Sequence, residues 1–536
     1  MVDVAIVGFG PTGAVAAGLL GLEGLTVYAC DASSEVYPKP RAIALDHEIM
    51  RIFQQLGLER EIEPHTEPFT DSEFYGVNGQ LIKCMSSLPA PYPLTFVPSL
   101  VFSQPPVEAI IRKRVQQLAP VTVDLGQTCV GVVQGAQSVV LHVQDPQGQV
   151  KTVEAKYLIA CDGASSTVRK MQGLDLLDLG FEQSWLVVDV LLNERGLKKT
   201  PRVSVQYCEP QRPSSYIMGA KNHRRWEISI NAGEDPEQVA SVEGTWALLK
   251  RWITPDDAQL WRQASYRFHA LVAKSWRQGR VFLAGDAAHQ QPPFLGQGMC
   301  QGLRDAQNLS WKLVQVLKGS AQACLLDTYG QERKAHVTAL TERIKHIGEL
   351  VGERDTSRAM ARDAQLLAQC NGLVQPTPRQ NVQPALSEGC LGQAASWVPN
   401  LAQVTIGTVF PQAWVLDPQT QERVRMDTVT GCGWRLFLSE TADAQWDKVV
   451  LNGALNVQVF RWDAKGLQEC DGVVKAWFVN HGVQAALVRP DHIVFGVYGA
   501  ASEVHGLKGN HGIEGIEGDG QTLERFFITP THRPEA

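Results

Sequence analysis

Two glycine-bearing turns and two isolated acids are the residues whose types and spacing most directly suggest chemistry. Gly8, Gly10 and Gly13 stand in GFGPTG between an apolar run and an Ala/Leu-rich stretch, and Asp31 follows 18 residues after Gly13, closing a second apolar run. A turn of this spacing lets the backbone N–H groups of a helix start approach a pyrophosphate, and an acid in that place can hold a ribose 2′-hydroxyl. The carboxylate repels a 2′-phosphate, so the site favours FAD or NAD over NADP. Glycines used only for tight helix–strand packing are the plainer alternative. The second turn lies in VFLAGDAAHQQPPFLGQGMCQGLRDAQNLSWKL, residues 281–313, where a strand delivers Asp286 and three glycines (Gly296, Gly298, Gly302) surround a helix start. Leu303, Ala306, Leu313, Val314 and Leu317 share one face of that helix. A bare phosphate gains from a nearby cation, but Arg304 sits inside the helix. Asp286 suits a polyol such as the ribityl chain of a flavin, and the helix start suits the N1–C2=O2 edge of a reduced flavin. FAD is therefore the expected bound group.

The elements that must position these residues follow from periodicity. VDVAIVGFGPTGAVAAGLLGLEGLTVYACDAS reads as strand, turn, helix and strand, a doubly wound α/β start. Alternating runs over 121–161 read as a meander returning to the first sheet, and WLVVDVLL, RVSVQYCE and RRWEISINA mark a separate β-rich region. The expected organisation is a dinucleotide-binding domain over 1–182 with insertions near 70–105, a β-rich substrate domain over 183–275, the first domain resuming with a helical connector over 276–395, and a C-terminal domain over 396–536. Pro376, Pro378, Pro384, Gly389 and Gly392 mark 376–400 as a linker, and KVVLNG, VQVFRW and AALVRPDHIVFGVYG read as strand-like runs beyond it.

Composition narrows the partners. At 536 residues, 44% hydrophobic and 20% charged, the chain is long enough for two or three domains with a large core. Its net charge of −7 argues against nucleic acid. The eleven cysteines are odd in number, scattered and without CxxC spacing, which indicates neither a disulfide framework nor a zinc site and fits a reducing compartment. No basic and apolar leader opens the chain, and no run approaches the ~18 apolar residues of a membrane span. A cytoplasmic enzyme with no membrane partner is expected.

Three motifs in order, GFGPTG, CDGASSTVR (161–169) and GDAAHQQPP (285–293), resemble the single-component FAD-dependent aromatic hydroxylases, the class A flavoprotein monooxygenases with the para-hydroxybenzoate hydroxylase fold. The likeness covers roughly residues 1–345. PRAIALDHEIMRIFQQLGL, QYCEPQRP and LLDTYGQERKAH further resemble the 3-(3-hydroxyphenyl)propionate hydroxylase branch. The resemblance implies a Rossmann-like FAD-binding domain interleaved with a β-sheet substrate domain, and a thioredoxin-like tail that here lacks CxxC and serves packing or dimerisation. It implies hydroxylation of a phenolic or heteroaromatic, carboxylate-bearing substrate through a flavin C4a-hydroperoxide, with NADH or NADPH and O2 as co-substrates, no metal and a homodimer as the assembly considered. The competing reading is a flavin-binding reductase or non-hydroxylating FAD protein. The resemblance places Arg41 near the flavin, Gln104 near the ribityl chain, and Asp162 with Arg169 where FAD and nicotinamide are both served. Met299 joins Gly296 and Gly298 among the cofactor contacts, and Pro293 joins Arg41 in the catalytic group. His47 is the first candidate for activating the phenol, because imidazole titrates near neutrality; the alternative is that it caps or solvates the helix it begins. Tyr207 and Tyr216 are candidates for the aromatic pocket, with core packing as the alternative. Phe294 and Leu295 are expected to form an apolar wall beside the flavin.

Overall fold

The computed structural model describes residues 1–392, 405–444, 446, 456–499 and 525–527. The N-terminal pattern folds as its periodicity requires. Strand β1 (Val2–Val7), helix α1 (Pro11–Leu22) and strand β2 (Val27–Asp31) form the first βαβ unit, with Ile6 opposite Ala29 in a parallel pair. Strand β3 (Val150–Ala160) lies parallel on the other side of β1, with Ile6 opposite Ile159. The eight-stranded sheet also takes in Val121–Leu125 at one edge, and the hairpin strands Thr128–Gln134 and Val139–Gln144 lead antiparallel into β3. Alanine and glycine dominate α1, so it packs closely: Gly13 has its Cα where a Cβ would sit 1.9 Å from the Gly8 carbonyl oxygen.

A nine-stranded sheet forms the second layer. Its central members are strands β4 (Leu176–Leu192), β5 (Ser204–Tyr207), β6 (Ser214–Met218), β7 (His223–Ser229) and β8 (Ala258–Ala273), in the spatial order β8, β4, β7, β6, β5. Strand Ser72–Tyr75 continues the sheet parallel to β5, and Leu81–Ser86 follows it, so part of the 70–105 insertion belongs to this sheet. The 17-residue β4 runs through the expected boundary at 182/183: one long strand serves both regions, and no linker separates them there. The expected linker also begins as structure, because Pro376–Pro378 pairs parallel with Leu81–Ser86 at the sheet's edge. An edge strand tolerates proline because one side needs no N–H donors.

After β8 the chain returns to the first sheet through strand β9 (Val281–Leu283), parallel to β3, and enters helix α3 (Gly298–Leu317). A Cβ on Gly302 would lie 2.3 Å from Thr12 Oγ1 and one on Gly285 2.7 Å from it, so α1, α3 and the turn after β9 meet at Thr12. The apolar face predicted for α3 packs into the main core. Its other face is buried too, by helix α4 (Asp327–Gly352) and by the C-terminal segment. Among the described residues that segment holds a four-stranded sheet in the order Gln458–Arg461, Arg435–Leu438, Ala485–Val488, Val494–Tyr498, the first pair parallel and the others antiparallel. KVVLNG lies outside the described residues. Polar groups bind the segment to the body: Arg51 donates to both Asp427 carboxylate oxygens (2.6 and 2.9 Å), and Arg489 donates to Glu332 on α4 (2.8 Å).

Candidate active site

The C-terminal end of the first sheet and the face of the second enclose a cleft of about 540 Å³. Its rim is made of the turns singled out above. Gly10, Pro11 and Thr12 open α1 onto it, and a Cβ at Gly10 would meet nothing within 4 Å, which leaves the helix start accessible to a bound group. Gly8 lies behind this opening at φ +96°, where a Cβ would be 2.3 Å from the Cys161 carbonyl oxygen; only glycine lets the first turn approach the 161–164 loop so closely. Asp31 fixes the turn from the end of β2, its carboxylate accepting from the Phe9 N–H (2.7 Å) and the Ser33 N–H (2.8 Å).

The opposite rim is the stretch after β9. Asp286 is exposed to the cleft in a single 3₁₀ turn, and Pro293, Gly296, Gly298 and Met299 line the cleft beside it. The Gly296 N–H donates to the Pro293 carbonyl (2.7 Å), closing a turn that sets the start of α3, and the space around Gly298 is open. Gln104 lines the cleft with its amide oriented by the Ala42 N–H, which donates to Oε1 (2.7 Å), and by Glu108, which accepts from Nε2 (3.0 Å). Arg41 lines it from a loop held by Arg262, which donates to the Pro40 carbonyl (2.6 Å). Asp162 and Arg169 do not line the cleft. Asp162 accepts from the Ser166 hydroxyl (2.5 Å) and the Val168 N–H (3.0 Å), and Arg169 donates to the carbonyls of Ala287 (2.9 Å) and Ala164 (3.0 Å). The pair braces the 161–169 loop against the Asp286 turn, while Cys161, Gly163 and Ala164 of that loop face the cleft. The group these surfaces fit is an extended dinucleotide carrying a polyol, which is the chemistry of FAD.

The nine-stranded sheet supplies the floor. Phe74, Phe268 and Phe294 form an aromatic side, Phe294 meeting Trp185 edge-on at 5.5 Å, and Leu295 lines the cleft with them. Gln206, Ser215, Ile217, Arg225 and Glu227 form the remaining floor. Tyr207 and Tyr216 are not among them. Side chains alternate along a strand, so Gln206 on β5 and Ser215 and Ile217 on β6 face the cleft while Tyr207 and Tyr216 face the other layer. There Tyr207 packs on Trp252 (5.5 Å between centroids), and Tyr216 packs on Trp226 (4.9 Å) and donates to the Pro201 carbonyl (3.0 Å).

His47 lies elsewhere. It begins helix α2 (His47–Gln55) but does not cap it: the Asp46 carboxylate accepts from the Glu48 and Ile49 N–H groups (3.1 and 3.3 Å). The imidazole is buried and lines a second cavity of about 300 Å³ between α2, α3 and the C-terminal segment, and a smaller one of about 70 Å³, not the cleft. Burial holds its pKa below the ordinary value despite Glu48 and Asp46 nearby. His289 is likewise structural, stacked on Trp276 and bonded to Asp305 (2.8 Å).

The residue that the sequence did not disclose is Glu227. It is 2% exposed, lines the cleft, and has no hydrogen bond or ion pair to any described residue. Burial pushes its carboxyl up to about 7, against a partial offset from Arg225 and with a further rise from Asp189. Arg225, two residues earlier, is held by Asp189 on β4, which accepts from its Nε (2.8 Å) and Nη2 (3.1 Å). The available signal was the strand HRRWEIS, which alternates charged residues with Trp226 and Ile228 in a strand buried on both faces.

Comparison with known proteins accords with this geometry. The profile described as an FAD binding domain matches residues 1–344, and that described as the HcaD C-terminal domain matches 407–507. The chain is 34% identical over 517 residues to a probable NADH-specific resorcinol 4-hydroxylase of Rhodococcus jostii (strain RHA1), covering 94% of each chain. It is 31% identical over 520 residues to a 3-(3-hydroxy-phenyl)propionate/3-hydroxycinnamic acid hydroxylase of Mycolicibacterium smegmatis (strain ATCC 700084 / mc(2)155), covering 92% and 90%. The flavin-dependent monooxygenase PieE, solved with FAD and substrate, superposes with a TM-score of 0.79 at 21% identity over 98% of this chain and 99% of its own.

Proposed function

The chain belongs to the FAD-dependent aromatic hydroxylases, and from that membership we propose that it inserts one oxygen atom of O2 into the ring of a small phenol. The observation that carries this reading is the convergence on one cleft of a dinucleotide rim and an aromatic, polar-floored pocket. FAD, when bound, would supply the two-electron redox chemistry that links reduced nicotinamide to O2. The protein's own residues bind and orient it. The opening of α1 at Gly10 to Thr12 would take the pyrophosphate, Asp31 the adenosine ribose, and Gln104 and Asp286 the ribityl chain. The N-terminus of α3, at Gly298 and Met299, would offer its N–H groups to the negative edge of the ring. Phe74, Phe268, Phe294 and Arg41 line the cleft; the phenylalanines would exclude water and seat the substrate ring, and Arg41 would meet a substrate carboxylate.

The relatives' substrates suggest resorcinol-like or hydroxyphenylpropanoate-like phenols, and the Rhodococcus relative's name favours NADH over NADPH. We read the tail as thioredoxin-like and structural, since it lacks CxxC, and the protein as a cytoplasmic homodimer. Among the described residues no helix is long and apolar enough to cross a membrane. The deciding experiment measures NADH oxidation by the flavin-loaded protein with resorcinol and with 3-(3-hydroxyphenyl)propionate. Stimulated oxidation with a hydroxylated product is expected; oxidation that no phenol accelerates, with no product, would establish the reductase reading instead.

A further inference from the structure

We propose that Glu227 is the group that activates the substrate's ring hydroxyl, accepting its hydrogen bond and taking its proton as the ring is attacked. The inference rests on the hydroxylase reading above and assigns the role His47 cannot fill from its separate cavity. Three observations on the cleft carry it. Glu227 lines the cleft from β7, in the middle of the sheet that floors it, opposite Ser215 on β6 and Val187 on β4, and the same cleft is lined by Ile217 and the phenylalanines that would flank an aromatic ring. It is 98% removed from solvent and yet bonded to no described residue, so its acceptor oxygens await a donor from the cleft. Its polar neighbours are already engaged: the Ser215 hydroxyl donates to Gln206, and Arg225 is held by Asp189.

The proton balance is simple. The phenol O–H bond breaks as the proton passes to the Glu227 carboxylate, the electron pair stays on the oxygen and enriches the ring, and no electrons leave the pair of groups. A carboxyl poised near pH 7 is matched to this task. The charged groups acting on it are Arg225 on its own strand and Asp189 on β4, and the titratable His269 on β8 lines the same cleft. Arg41, Arg267, Arg379 and Asp286 line the rest of the cleft wall. The positive groups outnumber the negative, which favours the developing phenolate.

The test uses the flavin-loaded enzyme with resorcinol. Glu227→Gln should retain FAD and reduce it with NADH at the wild-type rate, while hydroxylation falls ~10²- to 10⁴-fold and NADH consumption yields hydrogen peroxide. The acid limb of wild-type hydroxylation, expected near pH 7, should vanish in Glu227→Gln and persist, at reduced rate, in Glu227→Asp. A second readout needs no turnover. Because the folded-state pKa lies above the ordinary 4.5, Glu227 lowers stability progressively from pH 4.5 to about 7 and fully above it, so Glu227→Gln should melt at a higher temperature than wild type at pH 8 and at an equal one at pH 4. Wild-type coupling with an unchanged acid limb in the Gln variant overturns the assignment. So does a Gln variant that fails to fold, since a carboxylate without partners has none to lose. A wild type that hydroxylates no phenol would instead refute the hydroxylase reading on which the inference stands.

Discussion

Replacing Glu332 with glutamine tests how the C-terminal segment holds α3, and with it the cleft rim, in place. Glu332 is fully buried on α4. Its Oε2 accepts from Lys312 Nζ (2.9 Å), Asn308 Nδ2 (2.7 Å) and Arg489 Nη2 (2.8 Å), and its Oε1 accepts from the Cys390 N–H (2.8 Å). Burial alone would raise the carboxyl's pKa, but Arg489 and Lys312 overcome it and hold Glu332 down at about 2, against an ordinary 4.5. Burial also draws Lys312 down, to about 8, so the lysine is still largely charged at pH 7 and the pair persists there. The interval from about 2 to 4.5 corresponds to about 3 kcal/mol of stability at neutral pH, and removing one partner of a buried ion pair costs about 3–5 kcal/mol by another route. The two agree. Because the folded-state pKa is the lower, the contribution is complete above pH 4.5 and is lost as pH falls toward 2. Glu332→Gln should therefore unfold at lower denaturant, with a loss of about 3 kcal/mol at pH 7 followed by tryptophan fluorescence, and the gap from wild type should narrow between pH 4.5 and 3. A loss below about 1 kcal/mol at pH 7, or a gap undiminished at pH 3, would refute this account of the docking.

Three further outcomes bear on the cleft. Asp286→Ala removes the acceptor proposed for the ribityl chain and should weaken FAD binding about 10- to 100-fold with the fold intact, the equivalent of one lost charge-assisted hydrogen bond; equilibrium dialysis that returned wild-type affinity would reassign the contact. Gly13→Ala drives a Cβ to within 1.9 Å of the Gly8 carbonyl, so the variant should purify without flavin, and a yellow, fully loaded preparation would show that the turn can shift. His47→Ala should leave product per NADH oxidised near wild type, since the imidazole lines another cavity; a collapse of that ratio would restore His47 to the chemistry.

Much of the rim was legible because it is built from backbone, and backbone constraints leave glycines at fixed intervals. Gly8, Gly10, Gly13, Asp31, Asp286, Gly296 and Gly298 come from two strand–turn–helix units whose local pattern determines their geometry. The floor was not legible, for a reason of parity. The strands β5, β6 and β7 are buried on both faces, so hydrophobicity does not say which set of alternate residues meets the cleft. Choosing the tyrosines chose the wrong face: Tyr207 and Tyr216 fill the sheet's other core, while the less conspicuous Gln206, Ser215 and Glu227 look inward. His47 misled differently, since proximity to Arg41 in sequence does not survive the turn into α2. The polar face of α3 was equally opaque, because Asn308 and Lys312 find their partners on α4, and Asn308 also on Asp491, some 180 residues on.

The buried carboxylates divide in a way that separates scaffold from site. Asp189, Asp305, Glu332 and Asp427 are each held below the ordinary range although burial opposes it, because arginine, lysine or histidine stands beside them. Each joins elements: Asp189 ties β4 to β7, Asp305 ties α3 to α4 and to the Gly285 N–H, Glu332 ties α4 to the C-terminal segment, and Asp427 ties that segment to α2. A charge so placed needs no role beyond the fold. Glu227 joins nothing. It sits on the same sheet as Asp189, one strand away, and is pushed upward instead, so the arginine that could have neutralised it serves its neighbour. A fold that pairs these four carboxylates so thoroughly leaves Glu227 without a partner among the described residues, at a cost in stability. That cost falls in the one place where an incoming hydroxyl can supply the missing donor.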